Sequence, residues 1–254
     1  MKFYKYQGTG NDFVMIDNRE NFFDKENTDL VAQLCDRRFG IGADGLILLE
    51  NDLENDFRMV YYNSDGNQSS MCGNGGRCAV SFCNDLGLNV ETTNFLGFDG
   101  PHKALFEDGI IQLEMMNVED IKSIDQDFEL YTGSPHYIHF SSAINEFDIF
   151  NYGRSIRYNE TYEKDGINVN VVEQLDDNRL FVRTYERGVE NETLACGTGV
   201  TAAALAFAKL NHKLGDNHIA IKVMGGELAV RFHYDGSHFT DVWLVGPGTF
   251  VFKG

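Results

Sequence analysis

Hydrophobic and polar residues alternate in several short segments of the first half of the chain, which is the pattern of half-buried β-strands. A helix is predicted over residues 29–38, with Thr28 as its N-cap. A second helix is predicted to begin at Cys72 and to end near Leu86, with Gly87 as its C-terminal cap. Strands are predicted at residues 3–7, 13–17, 46–49, 58–62, 104–106 and 110–115, with turns at residues 8–12, 63–67 and 107–109.

The second half of the chain repeats this order of elements. Its predicted helix, residues 197–211, is apolar on all sides, which is typical of a buried helix. The pattern predicts an α+β fold of two similar domains, residues 1–116 and 117–246, each a mainly antiparallel sheet wrapped around a central helix. Strands are predicted at residues 128–131, 137–140, 169–172, 180–185, 219–223, 228–232, 242–245 and 250–252.

The chain is strongly acidic, with 21 Lys and Arg residues against 39 Asp and Glu residues and a net charge of −18. A surface of this sign repels nucleic acids and anionic membranes, so neither is expected as a partner. No segment approaches the roughly 18 consecutive apolar residues of a membrane span, and the N-terminus lacks the apolar run of a signal peptide. We therefore expect a cytoplasmic protein with reduced thiols.

Two short motifs carry the chemistry: Met71-Cys72-Gly73-Asn74-Gly75-Gly76 and Ala195-Cys196-Gly197-Thr198-Gly199-Val200. Each places a cysteine and a Gly-X-Gly turn where a strand-like segment gives way to a helix. A helix N-terminus offers N–H groups and a positive dipole end, which bind a carboxylate and lower the pKa of a thiol. Two such elements predict a pair of thiols that face each other across one anion. This arrangement suits the removal of a proton from one face of a carbon and its return to the other face.

The other three cysteines are interpreted as core residues. The spacing Cys72-x5-Cys78-x4-Cys83 invites a metal interpretation, but zinc sites usually contain closer pairs such as Cys-x2-Cys. Around one helix these three side chains would also point in different directions. We therefore expect no metal, and we interpret Cys35, Cys78 and Cys83 as buried and inert.

No cofactor is expected either. Removal of an α-proton from an amino acid is eased by a pyridoxal Schiff base, by a metal, or by preorganised hydrogen-bond donors in a dry site. No lysine stands out as a Schiff-base candidate, which leaves the donors of the two Gly-X-Gly helix starts. The segment Gly8-x-Gly10-Asn11 resembles a truncated dinucleotide fingerprint, but it lacks the third glycine and the helix that should follow.

Polar residues beside predicted turns complete the candidate site. Neighbouring carboxylate and guanidinium groups could hold an ammonium and a carboxylate. His136 is either an ordinary histidine at the start of a strand or a base that keeps one thiol ionised. The other polar residues of the candidate site are Asn11, Asn63, Asn74, Asn168, Glu186 and Arg187. Each of them alone is more typical of a turn or a surface, and only their occurrence together with two Cys-Gly-X-Gly motifs favours a site.

Ordered motifs along the whole chain carry a resemblance to a known family. They are GTGNDF at residues 8–13, RFGIGADG at 38–45, NSDG at 63–66, NVN at 168–170 and ERG at 186–188, together with the two cysteine motifs. Through these motifs, which occur in order along the chain, the sequence resembles the diaminopimelate epimerases, which are pyridoxal-independent enzymes of bacterial lysine and cell-wall precursor synthesis. The resemblance implies conversion of LL-diaminopimelate to meso-diaminopimelate in a cleft between the two domains, a C-terminal strand, residues 247–254, that returns to the first domain, and a homodimer.

The resemblance also implies roles for individual residues. Cys72 and Cys196 would be the acid/base thiols, one for each face of the α-carbon, and His136 and Glu186 would adjust their protonation. The α-carboxylate would be held by backbone N–H groups of Gly73, Asn74, Gly197 and Thr198. The distal end of the substrate would be bound by Asn11, Asn63, Asn168, Glu186 and Arg187, with Asp44 and Ser134 as further candidates for substrate binding.

One position departs from the family pattern, and two alternatives stay open. Ser134-Pro135-His136 stands where the family usually has Asn-Pro-His, so Ser134 would reach the distal carboxylate with a shorter arm, through water, or not at all. A proline racemase is the alternative enzyme, but those proteins usually carry a histidine where this chain has Asn74. A non-catalytic amino-acid-binding protein is the alternative class, and it would need neither Cys72 nor Cys196.

Overall fold

The computed structural model describes residues 1–69, 71–88 and 91–254. The chain forms two units, one built from Met1–Leu113 with Gly246–Gly254 and the other from Glu114–Val245. No helix in the described ranges combines the length and apolar character needed to cross a membrane. Sheets dominate both units, so the predicted α+β fold class is confirmed.

The elements of the described chain are four α-helices and seventeen strands. The helices are α1 (Thr28–Cys35), α2 (Gly73–Asp85), α3 (Ile149–Arg157) and α4 (Gly197–Leu210). The strands are β1 (Tyr4–Gly8), β2 (Asn11–Asp17), β3 (Gly45–Glu50), β4 (Phe57–Asn63), β5 (Thr92–Gly97), β6 (Gly100–Glu107), β7 (Ile110–Glu114), β8 (Lys122–Ile124), β9 (Asp127–Tyr131), β10 (Pro135–Phe140), β11 (Asn168–Asp176), β12 (Arg179–Glu186), β13 (Asn191–Thr193), β14 (Gly215–Val223), β15 (Gly226–Tyr234), β16 (Phe239–Pro247) and β17 (Thr249–Lys253).

In the first unit the sheet surrounds α2. Strand β1 pairs antiparallel with β2 and β17, β2 runs parallel to β3, β3 pairs antiparallel with β4, and β4 runs parallel to β5. Strands β5, β6 and β7 continue as an antiparallel meander. A parallel pair needs a crossover connection, and α1 and α2 supply the two that this order requires. Helix α2 contacts β1, β2, β3, β4, β6 and β17, so the predicted central helix is confirmed.

The second unit has the same order of pairings. Strand β9 pairs antiparallel with β10, β10 runs parallel to β11, β11 pairs antiparallel with β12, and β12 runs parallel to β14. Strands β14, β15 and β16 again form an antiparallel meander. Helix α4 is buried from Gly199 to Ala208 and contacts β9, β10, β11, β12 and β15. The predicted repeat of a sheet around a central helix is therefore confirmed.

Two local predictions near the N-terminus are wrong in detail. The predicted turn over residues 8–12 consists of Thr9 and Gly10 alone, with φ angles of +51° and +88°, and Asn11 already belongs to β2. The N-cap of α1 is Asn27 rather than Thr28, because the side chain of Asn27 accepts a hydrogen bond of 3.0 Å from the Leu30 N–H.

The predicted end of α1 is also wrong. The helix ends at Cys35 instead of residue 38, because Asp36 has an extended backbone. The Asp36 carboxylate accepts from the N–H groups of Arg38 and Phe39, both at 2.7 Å, and these bonds hold a turn in place of further helix.

Several short elements were not predicted, and helix α3 is the largest of them. Its sequence, IFNYGRSIR, contains β-branched and aromatic residues and a glycine, all of which are weak helix formers. The helix lies close to β12, and a Cβ atom added at Gly153 would stand 2.4 Å from Cβ of Tyr185. Tertiary packing, with an N-cap from Asp148, stabilises this helix despite its low propensity. The other omissions are β5, β8, β13 and a short 3-10 helix at Ile144–Glu146.

Candidate active site

Both cysteine motifs begin the central helix of their unit. Cys72 is the N-cap of α2 and Cys196 is the N-cap of α4. Both have an extended backbone, with φ angles of −100° at Cys72 and −121° at Cys196. Both side chains are half-buried. The first N–H groups of a helix have no acceptor within the helix, so each cysteine stands beside donors suited to an anion.

The remaining cysteines lie in the core. Cys35, Cys78 and Cys83 are all buried. Burial raises the pKa of Cys35 to about 11 and the pKa values of Cys78 and Cys83 to about 12. These thiols stay protonated near neutral pH, and the prediction that they are core residues is confirmed. Among residues 1–69, 71–88 and 91–254, no three His, Cys, Asp or Glu side chains form a group suited to a metal ion.

The first unit brings together five of the predicted site residues. The Cys72 thiol lies 3.6 Å from Oδ1 of Asn11, and Nδ2 of Asn74 donates to the same oxygen at 3.4 Å. Nδ2 of Asn11 donates to the carboxylate of Asp44 at 2.7 Å. We call Asn11, Asp44, Cys72, Gly73 and Asn74 the first half-site.

A network of charges fixes Asp44. Arg37 binds Asp44 at 2.6 Å and also binds both carboxylate oxygens of Asp12, at 2.7 and 3.1 Å. Lys5 forms a second ion pair with Asp12 at 2.8 Å. Although burial acts to raise it, hydrogen bonds from Arg37 and Lys5 lower the pKa of Asp12 to about 2. Two cations and two carboxylates therefore balance one another beside Asn11.

Arg77 is a residue of this region that the sequence reasoning missed. Its side chain is fully buried, and its guanidinium donates to the carbonyl oxygens of Gly73 and Pro247, each at 3.2 Å. It also donates to Oδ1 of Asn74 at 3.0 Å and to the Thr9 hydroxyl at 3.2 Å. No carboxylate of the described residues forms an ion pair with it, so a cation is held by neutral acceptors one turn inside α2. The available signal was an arginine directly after a glycine-rich helix start, where the following residues are small or apolar.

Asn63 joins the first half-site only through the backbone. It ends β4 opposite Gly45, and the next residue, Ser64, donates its N–H to the Asp44 carbonyl at 3.1 Å. The Asn63 side chain is exposed. The structure thus places Asn63, an exposed residue, beside Asp44.

The second unit brings together a larger polar group. Nε2 of His136 lies 2.9 Å from the Thr198 hydroxyl and 3.0 Å from the Ser134 hydroxyl. The Thr198 hydroxyl lies 3.5 Å from the Cys196 sulfur. Nδ2 of Asn168 donates to Ser134 at 2.9 Å. We call Ser134, His136, Asn168, Cys196, Gly197 and Thr198 the second half-site.

His136 is fully buried at the centre of this half-site. Burial, with a smaller contribution from the charge of Arg187, lowers the pKa of His136 to about 3. Asn170, which the sequence motif contained but to which no role was assigned, lies 3.1 Å from Nδ1 of His136 and is fully buried. A Cβ atom at Gly199 would stand 2.4 Å from Oδ1 of Asn170 and 3.4 Å from the Cys196 sulfur. The second glycine of the motif is therefore required for this close approach.

Glu186 and Arg187 take different positions. The backbone N–H of Arg187 donates to Oδ1 of Asn168 at 2.9 Å, which ties it to the second half-site, and its guanidinium binds the Asp165 carbonyl at 2.9 Å. Glu186 is half-buried and accepts a hydrogen bond of 2.8 Å from the Thr193 hydroxyl. Burial raises the pKa of Glu186, and the Thr193 bond opposes this shift only in part.

Comparison with known proteins gives the family. The sequence model of the diaminopimelate epimerase family matches residues 3–100 and 128–251. A diaminopimelate epimerase of Flavobacterium psychrophilum is 55% identical over 254 residues, covering 100% of this chain and 99% of the relative. The chain belongs to the diaminopimelate epimerase family. The diaminopimelate epimerase of Chlorobaculum tepidum is 40% identical, covering 97% of this chain and 98% of the relative.

Solved structures of more distant proteins share the fold. A PhzF-family phenazine biosynthesis protein of Bacillus anthracis matches with a TM-score of 0.78 at 12% identity, covering 100% of this chain and 98% of that chain. A hydroxyproline epimerase of Agrobacterium vitis, solved with trans-4-hydroxy-L-proline, matches with a TM-score of 0.68 at 13% identity, covering 100% and 90%. Membership of the diaminopimelate epimerase family makes the chain an isomerase, an amino-acid epimerase that acts on a small-molecule substrate in lysine biosynthesis.

Proposed function

We propose that the chain converts LL-diaminopimelate to meso-diaminopimelate without a cofactor, with Cys72 and Cys196 as the acid/base pair. One observation carries the proposal. Each unit contains a half-buried cysteine at the N-cap of a buried central helix, followed by Gly-X-Gly, and both units have the same order of strand pairings. Family membership supports the substrate and the reaction class.

The reaction is a proton exchange on two faces of one carbon. The thiolate of one cysteine removes the α-proton and becomes a thiol, and the electron pair left on the α-carbon spreads into the α-carboxylate. The thiol of the other cysteine gives its proton to the opposite face and becomes a thiolate. Backbone N–H groups at residues 73–74 and 197–198 hold the carboxylate and stabilise the charge that develops there.

The distal end of the substrate, which does not react, needs groups for an ammonium and a carboxylate. The exposed guanidinium of Arg187 suits a carboxylate, and the half-buried carboxylate of Glu186 suits an ammonium. Asn168 ties Arg187 to Ser134, so these residues would act as one group. Asn11, Asn63 and Asp44 are the candidates from the first unit. A homodimer, a cytoplasmic location and a supply to peptidoglycan precursors are also part of the proposal. The resemblance supports the homodimer and the supply, and the sequence supports the cytoplasmic location.

Solvent isotope exchange tests the proposal. Purified protein incubated with LL-diaminopimelate in D₂O, without added pyridoxal phosphate or metal, should place deuterium at the α-carbon as meso-diaminopimelate appears. NMR follows the loss of the α-proton signal. Inactivation of folded protein by a chelator or by a carbonyl reagent would overturn the cofactor-free mechanism.

Two controls test the alternatives. Proline isomers should show no exchange, and exchange of proline in place of diaminopimelate would favour a proline racemase. Binding of diaminopimelate with no exchange at all would favour an amino-acid-binding protein.

A further inference from the structure

The buried amide of Asn170 fixes the direction of the hydrogen bonds in the second half-site. One end of this amide lies 3.1 Å from the Tyr137 carbonyl and 3.1 Å from Nδ1 of His136. The other end accepts from the Thr184 hydroxyl at 2.9 Å. A carbonyl oxygen can only accept, so the end that faces Tyr137 must be the NH₂ group. Nδ1 of His136 therefore accepts a hydrogen bond and carries no proton.

The proton of His136 is consequently on Nε2. A neutral imidazole carries one proton, so Nε2–H is a donor, and its neighbours are the hydroxyls of Thr198 at 2.9 Å and Ser134 at 3.0 Å. The lowered pKa of His136, caused by burial, agrees with a neutral ring.

The hydroxyl of Ser134 is a second hydrogen-bond donor to the Thr198 oxygen. Its oxygen accepts from Nδ2 of Asn168 at 2.9 Å, and Nδ2 is identified as the donor end because it also faces the Pro135 carbonyl at 3.1 Å. The hydrogen of the Ser134 hydroxyl has one acceptor in the second half-site, the Thr198 oxygen at 3.3 Å, since Nε2 of His136 is itself a donor.

The Thr198 oxygen thus receives hydrogen bonds from His136 and Ser134, and its own hydrogen is left for the Cys196 sulfur at 3.5 Å. A sulfur atom that receives an O–H donor is stabilised as the thiolate. The matching residue of the first motif, Asn74, has no hydroxyl and donates instead to Asn11.

We propose that the Thr198 hydroxyl stabilises the Cys196 thiolate, and that His136 is a neutral positioning residue that directs this hydroxyl. The inference rests on the proposed function in taking Cys196 as an acid/base thiol. It gives His136 a role different from that of a base that removes the thiol proton. Thr198 then acts twice, through its backbone N–H on the carboxylate and through its side chain on the sulfur.

Charged groups also lie on the strands packed against α4. Glu186 and Arg187 are the charged members of the proposed site at the end of β12. Other charged side chains on the strands packed against α4 are paired with one another or exposed. The paired groups are Asp127 with Tyr137 and His139, Glu129 with Tyr162 and Lys122, Arg183 with Glu192, Arg179 with Glu227, and His233 with Asp216. Glu173, Asp176 and Arg231 lie toward the exposed ends or faces of their strands.

Alkylation of each cysteine as a function of pH tests the inference without substrate. Iodoacetamide labelling followed by trypsin separates the two thiols, because residues 59–77 contain Cys72 alone and residues 188–209 contain Cys196 alone. Thr198→Val keeps the shape of the side chain and removes the hydroxyl. Loss of a hydrogen bond to a charged group should move the midpoint of Cys196 labelling up by about one pH unit, about a tenfold loss of thiolate below the midpoint.

Thr198→Ser is the matched control, since it restores the hydroxyl and should restore the midpoint. The Cys72 midpoint should be unchanged in both variants. His136→Gln, which keeps an N–H donor near the Nε2 position, should move the Cys196 midpoint less than Thr198→Val does. An unchanged Cys196 midpoint in Thr198→Val, or equal shifts in the Val and Ser variants, would overturn the inference.

Turnover separates this inference from the proposed function. In Thr198→Val the backbone N–H groups that bind the carboxylate remain, so KM should stay within about twofold. The loss of the hydroxyl lowers the fraction of Cys196 thiolate, so kcat should fall about tenfold. A wild-type protein that exchanges no α-proton would contradict the proposed function, and the labelling result would still decide the role of Thr198. A rise in KM with unchanged kcat would assign Thr198 to substrate binding alone and overturn the inference.

Discussion

Arg77 and Thr201 occupy the same position in the two central helices, five residues after the cysteine. Each donates to the carbonyl of the glycine that follows its cysteine, Arg77 to Gly73 at 3.2 Å and Thr201 to Gly197 at 2.9 Å. Both units thus contain the same hydrogen bond to the glycine carbonyl, but with different donors. The donor is a buried guanidinium in the first helix and a buried hydroxyl in the second.

This difference predicts unequal costs when the donor is removed. Arg77→Met removes the side-chain donor from the partly buried carbonyls of Gly73 and Pro247 and from the side chains of Asn74 and Thr9, and should lower the free energy of unfolding by about 3 kcal/mol. Thr201→Val removes one neutral hydrogen bond and should cost about 1 kcal/mol. Urea unfolding of both variants gives the comparison. Equal costs would show that the several bonds of Arg77 add nothing to those of a hydroxyl.

The division between catalytic and core cysteines predicts two classes of variant. Cys72→Ala and Cys196→Ala should each stop epimerisation, because each removes the acid or base on one face of the carbon. Cys78→Ala, Cys83→Ala and Cys35→Ala should retain turnover and lose about 1–2 kcal/mol of stability through packing. Steady-state rates together with thermal unfolding separate these effects. Loss of turnover in folded Cys78→Ala, with Cys72 still reactive, would refute this division.

The buried His136 predicts a dependence of stability on pH. The unfolded chain binds a proton at this residue below about pH 6.5, whereas the folded ring binds one only near pH 3. Its contribution is therefore fully present above pH 6.5 and is lost as the pH falls toward 3. The wild type should lose about 2 kcal/mol more stability than His136→Gln between pH 7 and pH 5. Parallel stability profiles of the two proteins would mean that the folded ring binds a proton as readily as the unfolded ring does.

Asn168 joins Arg187 to Ser134, and an isosteric change should break this link. In Asn168→Asp a carboxylate oxygen replaces the NH₂ group that faces the Pro135 carbonyl and the Ser134 hydroxyl. The repulsion from Pro135 should displace the Arg187 segment and raise KM for diaminopimelate about tenfold. Asn168→Ser, which removes that repulsion, serves as the comparison. A KM equal to that of the wild type in Asn168→Asp would remove Asn168 from the substrate-binding group.

Two thiols that serve one carbon should also be sensitive to oxidation. If Cys72 and Cys196 act on opposite faces of the α-carbon, their Cβ atoms should be able to reach the roughly 3.5–4.5 Å of a disulfide when substrate is absent. Mild oxidation should then link them and abolish activity, a dithiol should restore it, and bound substrate should protect. Peptide mapping decides the matter, since inactive oxidised protein with both thiols unmodified contradicts the facing arrangement.

Much of the fold follows from local patterns in the sequence. The helix starts at the two Cys-Gly-X-Gly motifs, the hairpin turn at Asp108-Gly109 and the buried character of α4 are all encoded by residues close together in the chain. Helix α3 is not, because its residues favour a helix only when Gly153 lets it pack against Tyr185. The order of α1 in the first unit could have indicated α3 at the corresponding place in the second.

In the candidate site, too, the features that depend on contacts between distant parts of the chain could not be predicted from the sequence. The cysteines and asparagines of the motifs could be named from sequence, but the role of Asn170 could not. Its amide reaches His136 because β10 and β11 run parallel with His136 opposite Asn168, a register that depends on the whole sheet. Arg77 was missed because its acceptors come from residues far apart in the chain, from Thr9 to Pro247.

The bond from Arg77 to Pro247 spans 170 residues and joins α2 to the segment of the first unit that follows the second unit in the chain. Strand β17 pairs with β1, and at Gly248 the chain passes so close to α2 that a Cβ atom would stand 2.6 Å from the Arg77 carbonyl oxygen. The first unit is therefore complete only once residues 246–254, which follow the whole second unit in the chain, have been synthesised.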